Sequence, residues 1–271
     1  MIDTFELLSR FMKTHAGIVL KEHQKYQVDN KITPVMEAAK CRTVYDLIKT
    51  AERDRSVLLE LVSLFTINET SFFRDVKVFQ TLQTDIMPDL IAQREIQKGI
   101  NILSAASSSG QEGYSLAMMM RDAFPKIHDW RVNIVGVDID PNMVAKARDG
   151  WYSQLEVNRG LATRLLLKHF IRENRGYRVK PYLKDWVSFG QGNLFQLSSD
   201  IRSYSLICLR NVLIYFSQDD QEKLLRILHK KMRPNGVLLL GSSEIGRQVP
   251  SECFTRMQKG NVIWYQAINL V

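Results

Sequence analysis

The sequence predicts an α/β protein, a small N-terminal helical domain followed by a Rossmann-like sheet. Three observations predict it. In residues 1–90 apolar side chains recur at helical spacing with no strong strand pattern. After Gly99 short apolar runs alternate with helical stretches. Residues 100–138 read in order as strand, small-residue turn, helix, strand and carboxylate, the signature of a mononucleotide-binding half-sheet.

Phe5, Leu8, Phe11 and Met12 mark a first helix. A second runs near Leu20 to Met36, its pattern interrupted at Pro34, and Val57, Leu58, Leu61, Val62, Leu64 and Phe65 mark a helix facing a core. The first strand, Ile100-Asn101-Ile102-Leu103, ends in Ser104-Ala105-Ala106-Ser107-Ser108-Ser109-Gly110, a loop almost without side chains. A helix follows from Glu112 through Met120. The second strand, Val132 to Val137, ends on Asp138, 28 positions past Gly110. Small residues let a ligand approach the backbone at a helix N-terminus, and a carboxylate at the strand tip can accept two ribose hydroxyls. Gly110 is the loop's one glycine, so G-x-G-x-x-G is not satisfied. That argues against a bound pyrophosphate and for an adenosyl group without phosphate, and S-adenosylmethionine (SAM) fits.

Trp186–Phe189, Tyr204–Leu209 and Gly236–Leu240 read as further strands. A helix over Gln221–Met232 is closed by Pro234-Asn235-Gly236. Phe254–Lys259 and Val262–Gln266 flank Gly260-Asn261, a hairpin signal at one sheet edge. Five alternating strands and a terminal hairpin resemble the layout of SAM-dependent methyltransferases. The expected organisation is a helical domain over 1–90 and a methyltransferase-like domain over 91–271. Residues 150–185 form a small antiparallel β insertion with a turn at Asn174-Arg175-Gly176.

At 271 residues and 45% hydrophobic content the chain can bury a large core. No stretch approaches roughly 18 consecutive apolar residues, so no membrane insertion is expected. Met1–Glu6 has no basic region leading into an apolar core and does not read as a signal peptide. Cys41, Cys208 and Cys253 form no C-x-x-C pair and fit reduced thiols of a cytoplasmic protein. The five histidines lack metal-ligand spacing, so no metal is expected. The net charge is +8 with pI ≈ 9.4. Residues 1–75 carry 11 basic and 11 acidic side chains, whereas residues 144–186 carry 10 and 4. That basic stretch is either a solvated face or a docking surface for an acidic partner.

Asn68-Glu69-Thr70-Ser71-Phe72-Phe73-Arg74-Asp75 lies where the two domains meet. By composition alone it could be a helix cap at Thr70 with a surface ion pair at Arg74, or a polar cluster with an apolar anchor. Taken with the other blocks, it resembles the chemotaxis receptor glutamate O-methyltransferase family, CheR. The family's N-x-T-x-F-F-R stands as Asn68 to Arg74. Its small-residue loop stands as Ser104 to Ser115, its D-I-D as Asp138-Ile139-Asp140, its N-L as Asn193-Leu194 and its R-N-V-x-I-Y-F as Arg210 to Phe216. Gly17-Ile18-Val19-Leu20 and Gly241-Ser242-Ser243-Glu244 extend the likeness towards both ends.

The resemblance implies methyl transfer from SAM to glutamates in the cytoplasmic helical region of membrane chemoreceptors, with S-adenosylhomocysteine (SAH) as product. A glutamate is already ionised at pH 7, with a pKa near 4.3, so no general base is needed. What remains is positioning and desolvation, which fits a sequence without a triad or paired catalytic carboxylates. By the resemblance, Asp138 holds the ribose, Glu112 meets the methionyl amino group, Arg74 orients the incoming carboxylate and Tyr215 stands beside the methyl. Asn68, Thr70, Asn193, Leu194, Arg210 and Asn211 line the rest of the cofactor pocket. Gln111 and Gly113 replace a glutamate and a proline of the family loop, so a looser loop is expected. Residues 25–42 lack the usual arginine-rich helix, which shifts the expected receptor docking to the insertion. Nucleic acid is not expected as a partner: after the fourth strand the chain reads Leu209-Arg210-Asn211-Val212-Leu213, neither an Asp/Asn-Pro-Pro-Tyr nor a Pro-Cys. The remaining alternative is a SAM-binding sensor module without turnover.

Overall fold

The computed structural model describes residues 3–197 and 204–268. Met1 and Ile2, part of the stretch read for a signal peptide, lie outside them.

Helices α1 (Thr4–Ala16), α2 (Lys25–Ala38), α3 (Val44–Arg53) and α4 (Arg55–Phe65) build an all-helical unit. Their starts are encoded locally. The Asp3 carboxylate accepts the Phe5 N–H, Thr43 and Asp46 form a capping box, and Asp54 accepts from Ser56. Leu8, Met12, Val28, Ile32, Leu47 and Leu61 are buried together in the unit's own core. The sequence pattern breaks at Pro34, yet α2 runs through it. An interior proline costs about 3 kcal/mol or more. Burial of Val28, Ile32 and Val35 on one face of α2 offsets that cost and holds the helix.

A longer helical stretch follows, α5 (Val76–Thr81) and α6 (Met87–Ala92), joined by a π-helical turn over Leu82–Ile86. Then the alternation begins: β1 (Gly99–Ala105), α7 (Gln111–Ala123), β2 (Arg131–Asp138) and α8 (Pro141–Asp149). The insertion supplies β3 (Trp151–Ser153), α9 (Gln154–Asn158), α10 (Thr163–His169), β4 (Phe170–Glu173), β5 (Gly176–Val179) and α11 (Pro181–Lys184). The chain closes with β6 (Val187–Gln191), β7 (Tyr204–Leu209), α12 (Gln218–His229), β8 (Met232–Leu240), β9 (Phe254–Lys259) and β10 (Val262–Ala267).

Seven strands form one sheet in the order β6-β2-β1-β7-β8-β10-β9. The first five are parallel, and β10 runs antiparallel between β8 and the edge strand β9. Every residue of β7 is buried, as expected of a central parallel strand covered on both faces. The connections reverse direction between β1 and β7. In open α/β sheets that switch point leaves a crevice at the carboxyl ends of the strands.

The insertion is a separate three-stranded antiparallel sheet, β3-β5-β4, packed onto the junction segment. Phe72 is fully buried and meets the rings of Tyr152 and Phe170 edge-on, with centroids 5.0 and 5.5 Å away. Most of the insertion's charge is engaged locally. Arg178 pairs with Asp149 and Glu173, Lys168 with Asp122, and Arg159 with Glu69. Lys180 and Lys184 donate to main-chain carbonyls. Arg164, Arg172 and Arg175 are exposed and have no ion pair or hydrogen bond among the described residues. The free positive surface is therefore narrower than the sequence count suggests.

Candidate functional site

A cleft of about 1060 Å³, including its open mouth, lies over the carboxyl ends of β1, β2 and β7. Asn68, Thr70, Arg74, Glu112, Asp138, Asn193, Leu194, Arg210, Asn211 and Tyr215 all line it. Residues far apart in sequence thus converge at the switch point of the sheet.

The floor is the loop between β1 and α7. Ala106 (φ 56°) and Ser108 (φ 47°) hold left-handed conformations that glycine usually supplies. The loop is braced rather than loose. The Ser107 N–H donates to the Val137 carbonyl (3.0 Å), the Ser108 hydroxyl to the Asn68 carbonyl (3.0 Å), and the Tyr152 hydroxyl to the Ser109 carbonyl (2.7 Å). Gln111, one of the departures from the family motif, accepts the Ser109 hydroxyl (2.9 Å).

Asp138 is buried at the tip of β2. Its carboxylate accepts the Ser108 N–H (2.7 Å) and the Asp140 N–H (2.9 Å). Burial pushes its pKa above the usual carboxylate range, against the pull of those two amides. Asp140, two residues on, is wholly buried and does different work. It caps α8 through the Asn142 N–H (2.9 Å). It also accepts the Ser63 hydroxyl of α4 (2.8 Å) and the Asn68 amide (2.9 Å). Asp140 therefore ties the helical unit and the junction segment to the sheet.

Arg210 follows β7 directly, with its side chain 3% exposed. It donates to the Glu112 carboxylate (2.9 Å), the Asp75 carboxylate (2.8 Å) and the Arg74 carbonyl (2.7 Å). Burial works against its charge, yet the field of Glu112 and Asp75 raises its pKa further. It braces the junction segment as well as lining the cleft. Arg74 sits between Phe73 (φ 48°) and Asp75 (φ 62°), both left-handed, conformations costing about 1–3 kcal/mol each. Ser115 accepts the Phe73 N–H (3.0 Å), and Arg210 holds the other side. Arg74 itself donates to the Glu69 carbonyl (3.0 Å). Tyr215 is partly buried, which raises its phenol pKa, while the nearby Arg74 cation opposes the rise.

The helical unit supplies part of the wall: Ala16, Ile18 and Phe65 line the cleft beside Leu194 and Ile139. Asn193 reaches back to the His15 carbonyl (2.9 Å) and caps the turn that carries Phe195. Gly17, left-handed at the end of α1, lets that segment close in: a Cβ there would lie 2.7 Å from the Phe195 ring. The Gly17–Leu20 likeness pointed to this segment but assigned no wall residue.

Residues 68–260 match the CheR methyltransferase SAM-binding domain, and residues 3–66 match the CheR methyltransferase all-alpha domain. The chain belongs to the CheR methyltransferase family. It is 34% identical over 252 residues to chemotaxis protein methyltransferase 1 of Pseudomonas aeruginosa, covering 91% of each chain. It is 35% identical over 240 residues to the protein of the same name from Vibrio cholerae, covering 87% of this chain and 86% of that one. It is 31% identical over 270 residues to chemotaxis protein methyltransferase Cher2 of Pseudomonas putida, covering 97% of both. The family's cofactor is SAM, and the cleft's donor set fits it. Two acids, Asp138 and Glu112, line it with apolar Ile139 and Leu194. Two lining residues, Arg210 and Asn211, carry buried polar atoms, Nε and Oδ1, without a partner in the described residues.

The arrangement around Arg210 makes a stability prediction. Arg210→Met keeps the stem and removes the charge, leaving Glu112 and Asp75 facing one another unpaired. Losing one member of a buried pair costs about 3–5 kcal/mol, and the low end is expected because the Asp75 side chain is 33% exposed. The urea midpoint should fall with an unchanged slope; a wild-type midpoint would remove Arg210 from the scaffold.

Proposed function

We propose that this CheR-family methyltransferase transfers methyl groups from SAM to glutamate side chains of membrane chemoreceptors. It would act from the cytoplasm on their helical signalling region. No helix among the described residues is long and apolar enough to cross a membrane. The observation that carries the reading is the pairing of Arg74 and Tyr215 in one cleft with Asp138 and Glu112. A carboxylate-orienting cation and a hydroxyl thus share a cleft with two acids suited to ribose and ammonium. The chemotaxis methyltransferases among its relatives point to the same substrate class.

Bound SAM supplies a methyl on a positively charged sulfur, and transfer exchanges that S–CH3 bond for an O–CH3 bond on the carboxylate, leaving SAH. The chain's own residues supply geometry. Asp138 retains lone pairs for ribose hydroxyls after accepting its two amides. Glu112 would accept the methionyl ammonium, and Arg210 beside it would suit the methionyl carboxylate. Arg74 would orient the attacking carboxylate, and the walls of the cleft would displace water from it. Asn68, Thr70, Asn193, Leu194 and Asn211 shape the remaining walls.

The deciding experiment is methyl incorporation from labelled SAM into receptor-enriched membranes, with RNA and DNA as comparison substrates. Base-labile label in receptor supports the reading. Label in nucleic acid, or SAH binding with no transfer to any of the three, overturns it.

Asp138→Ala is expected to lose about 1.5–3 kcal/mol of SAH affinity, the worth of hydrogen bonds to a charged group. Wild-type affinity should also fall on the acid side. The ionised carboxylate is the form that accepts ribose hydroxyls, and its raised pKa brings protonation on at a higher pH than for an ordinary aspartate. Calorimetric titration across pH checks both effects, and binding by the alanine variant equal to wild type would exclude the ribose role.

Arg74→Ala should reduce methyl transfer by about tenfold to a hundredfold through misorientation of the carboxylate. SAH affinity should hold better than turnover. Near wild-type turnover would take Arg74 out of the mechanism.

Docking of an acidic receptor surface is assigned to the free arginines of the insertion. Arg178 is excluded from this set because it pairs with Asp149 and Glu173. Charge reversal at Arg164, Arg172 and Arg175 should raise the receptor KM and flatten its salt dependence, since exposed charges act through screened encounter. Methylation unchanged at low and high salt would move docking to the helical unit.

A further inference from the structure

We propose that Glu244 is the positioning residue of the loop from Arg210 to Tyr215, fixing where Asn211 and Tyr215 meet the reacting groups. The inference rests on the methyl-transfer reading above. Glu244 ends the short 3-10 turn Ser242–Glu244 that follows β8, and it is wholly buried. Its carboxylate accepts four main-chain N–H bonds. They come from Asn211 (2.8 Å), Val212 (2.8 Å), Leu213 (2.7 Å) and Gly241 (2.8 Å).

Three of these are consecutive amides of one loop. They converge because Asn211 is left-handed (φ 60°), a conformation that successive amides adopt when they form an anion-binding concavity. Here the anion is an internal carboxylate. Bonds from amides to an ionised acceptor are about twice as strong as neutral ones, and buried donors left unpaired are costly. The loop's carbonyl side is held independently. Gln221 donates to the Leu213 and Phe216 carbonyls (2.9 Å each), and the Val19 N–H donates to the Tyr215 carbonyl (3.0 Å).

The fit around the carboxylate is close. A Cβ at Gly241 would lie 2.8 Å from both the Asn211 nitrogen and Glu244 Oε2. Gly241 has an ordinary extended backbone (φ −70°), so space rather than conformation demands glycine. Movement of the loop also reaches Arg74, because Arg210 at its start holds the Arg74 carbonyl. Glu244 touches neither cofactor nor substrate in this scheme; it acts through the residues that do.

A carboxylate that merely stabilises the fold would change the unfolding midpoint and leave turnover per folded molecule alone. A positioning carboxylate changes turnover per folded molecule. Glu244→Gln retains the shape but turns an NH2 group towards two of the four amides. Gly241→Ala retains the carboxylate and pushes on its contact with Asn211. For each variant of the full chain, competent sites are counted by SAH titration, and kcat and KM are measured on receptor membranes. We expect kcat per site to fall about tenfold to a hundredfold in Glu244→Gln, less in Gly241→Ala, with receptor KM unchanged. Wild-type kcat per site in a folded Glu244→Gln overturns the proposal. If Glu244→Gln does not fold, Gly241→Ala decides: a lower kcat per site supports the proposal and an unchanged one overturns it. A wild-type protein that binds SAH but methylates no receptor sinks the methyl-transfer reading instead. Amide hydrogen exchange on whichever of the two variants folds then decides. Faster exchange confined to Asn211, Val212 and Leu213 supports the proposal, and unchanged protection overturns it.

Discussion

The buried Arg210 guanidinium is the interaction on which the rest of the cleft depends. It joins three segments that the sheet brings to one end: α7 through Glu112, the junction segment through Asp75 and the Arg74 carbonyl, and β7 through its own backbone. A buried cation needs close anions and well-placed hydrogen bonds to be tolerated, and Arg210 has two carboxylates and a main-chain carbonyl within 2.9 Å. Here one anion, Glu112, lines the cleft and the other, Asp75, follows the cleft-lining Arg74. Electrostatic necessity and site geometry thus coincide: the contacts that keep Arg210 charged also bring Glu112 and the Arg74 backbone together at one cleft. The left-handed pair Phe73 and Asp75 is strained backbone that persists because the surrounding bonds over-determine it.

The two acids at the end of β2 divide the remaining work. Asp138 faces the loop amides and keeps part of its lone-pair capacity, whereas Asp140 is consumed by Ser63, Asn68 and Asn142. Two acids two residues apart thus hold different segments, Asp138 the loop after β1 and Asp140 the helical unit and α8. Asp140 fastens the helical unit, whose Ala16, Ile18 and Phe65 form cleft wall. The helical unit is thus part of the site itself. Weakening its attachment opens the cleft as well as releasing a domain.

Sheet, insertion and terminal hairpin were legible because buried parallel strands must be continuous apolar runs and hairpins need turn residues. The Asp138 position was legible for the same reason, as a charge ending an apolar run. The helix read near Leu20 to Met36 runs as α2 through Pro34, because burial of Val28, Ile32 and Val35 outweighs the local interruption there. The double role of Arg210 was hidden because its partners lie 98 and 135 positions away. Pairing over such separations is set by topology, which composition and spacing do not encode. Glu244 was visible only as part of a motif likeness. Its partners are main-chain amides, and amides leave no trace in side-chain identity.

The insertion shows how one charged segment can serve two ends. Its basic excess reads in the sequence as a single surface, yet the structure divides it. Arg178, Lys180 and Lys184 hold the insertion together, while Arg159 reaches Glu69 (2.8 Å) in the junction segment. Beside it Gly160, left-handed at φ 88°, sits so close that a Cβ would fall 2.0 Å from the Phe72 carbonyl. The exposed Arg159–Glu69 pair contributes little energy alone. Close packing at Gly160 and the burial of Phe72 are what key the insertion to the segment carrying Arg74. The exposed Arg164, Arg172 and Arg175 therefore stand on an element seated against the backbone that leads to the cleft-lining Arg74. Under the proposed function, an acidic receptor surface held there would be held at a fixed geometry to the cleft, and that geometry would limit which side chains reach the methyl.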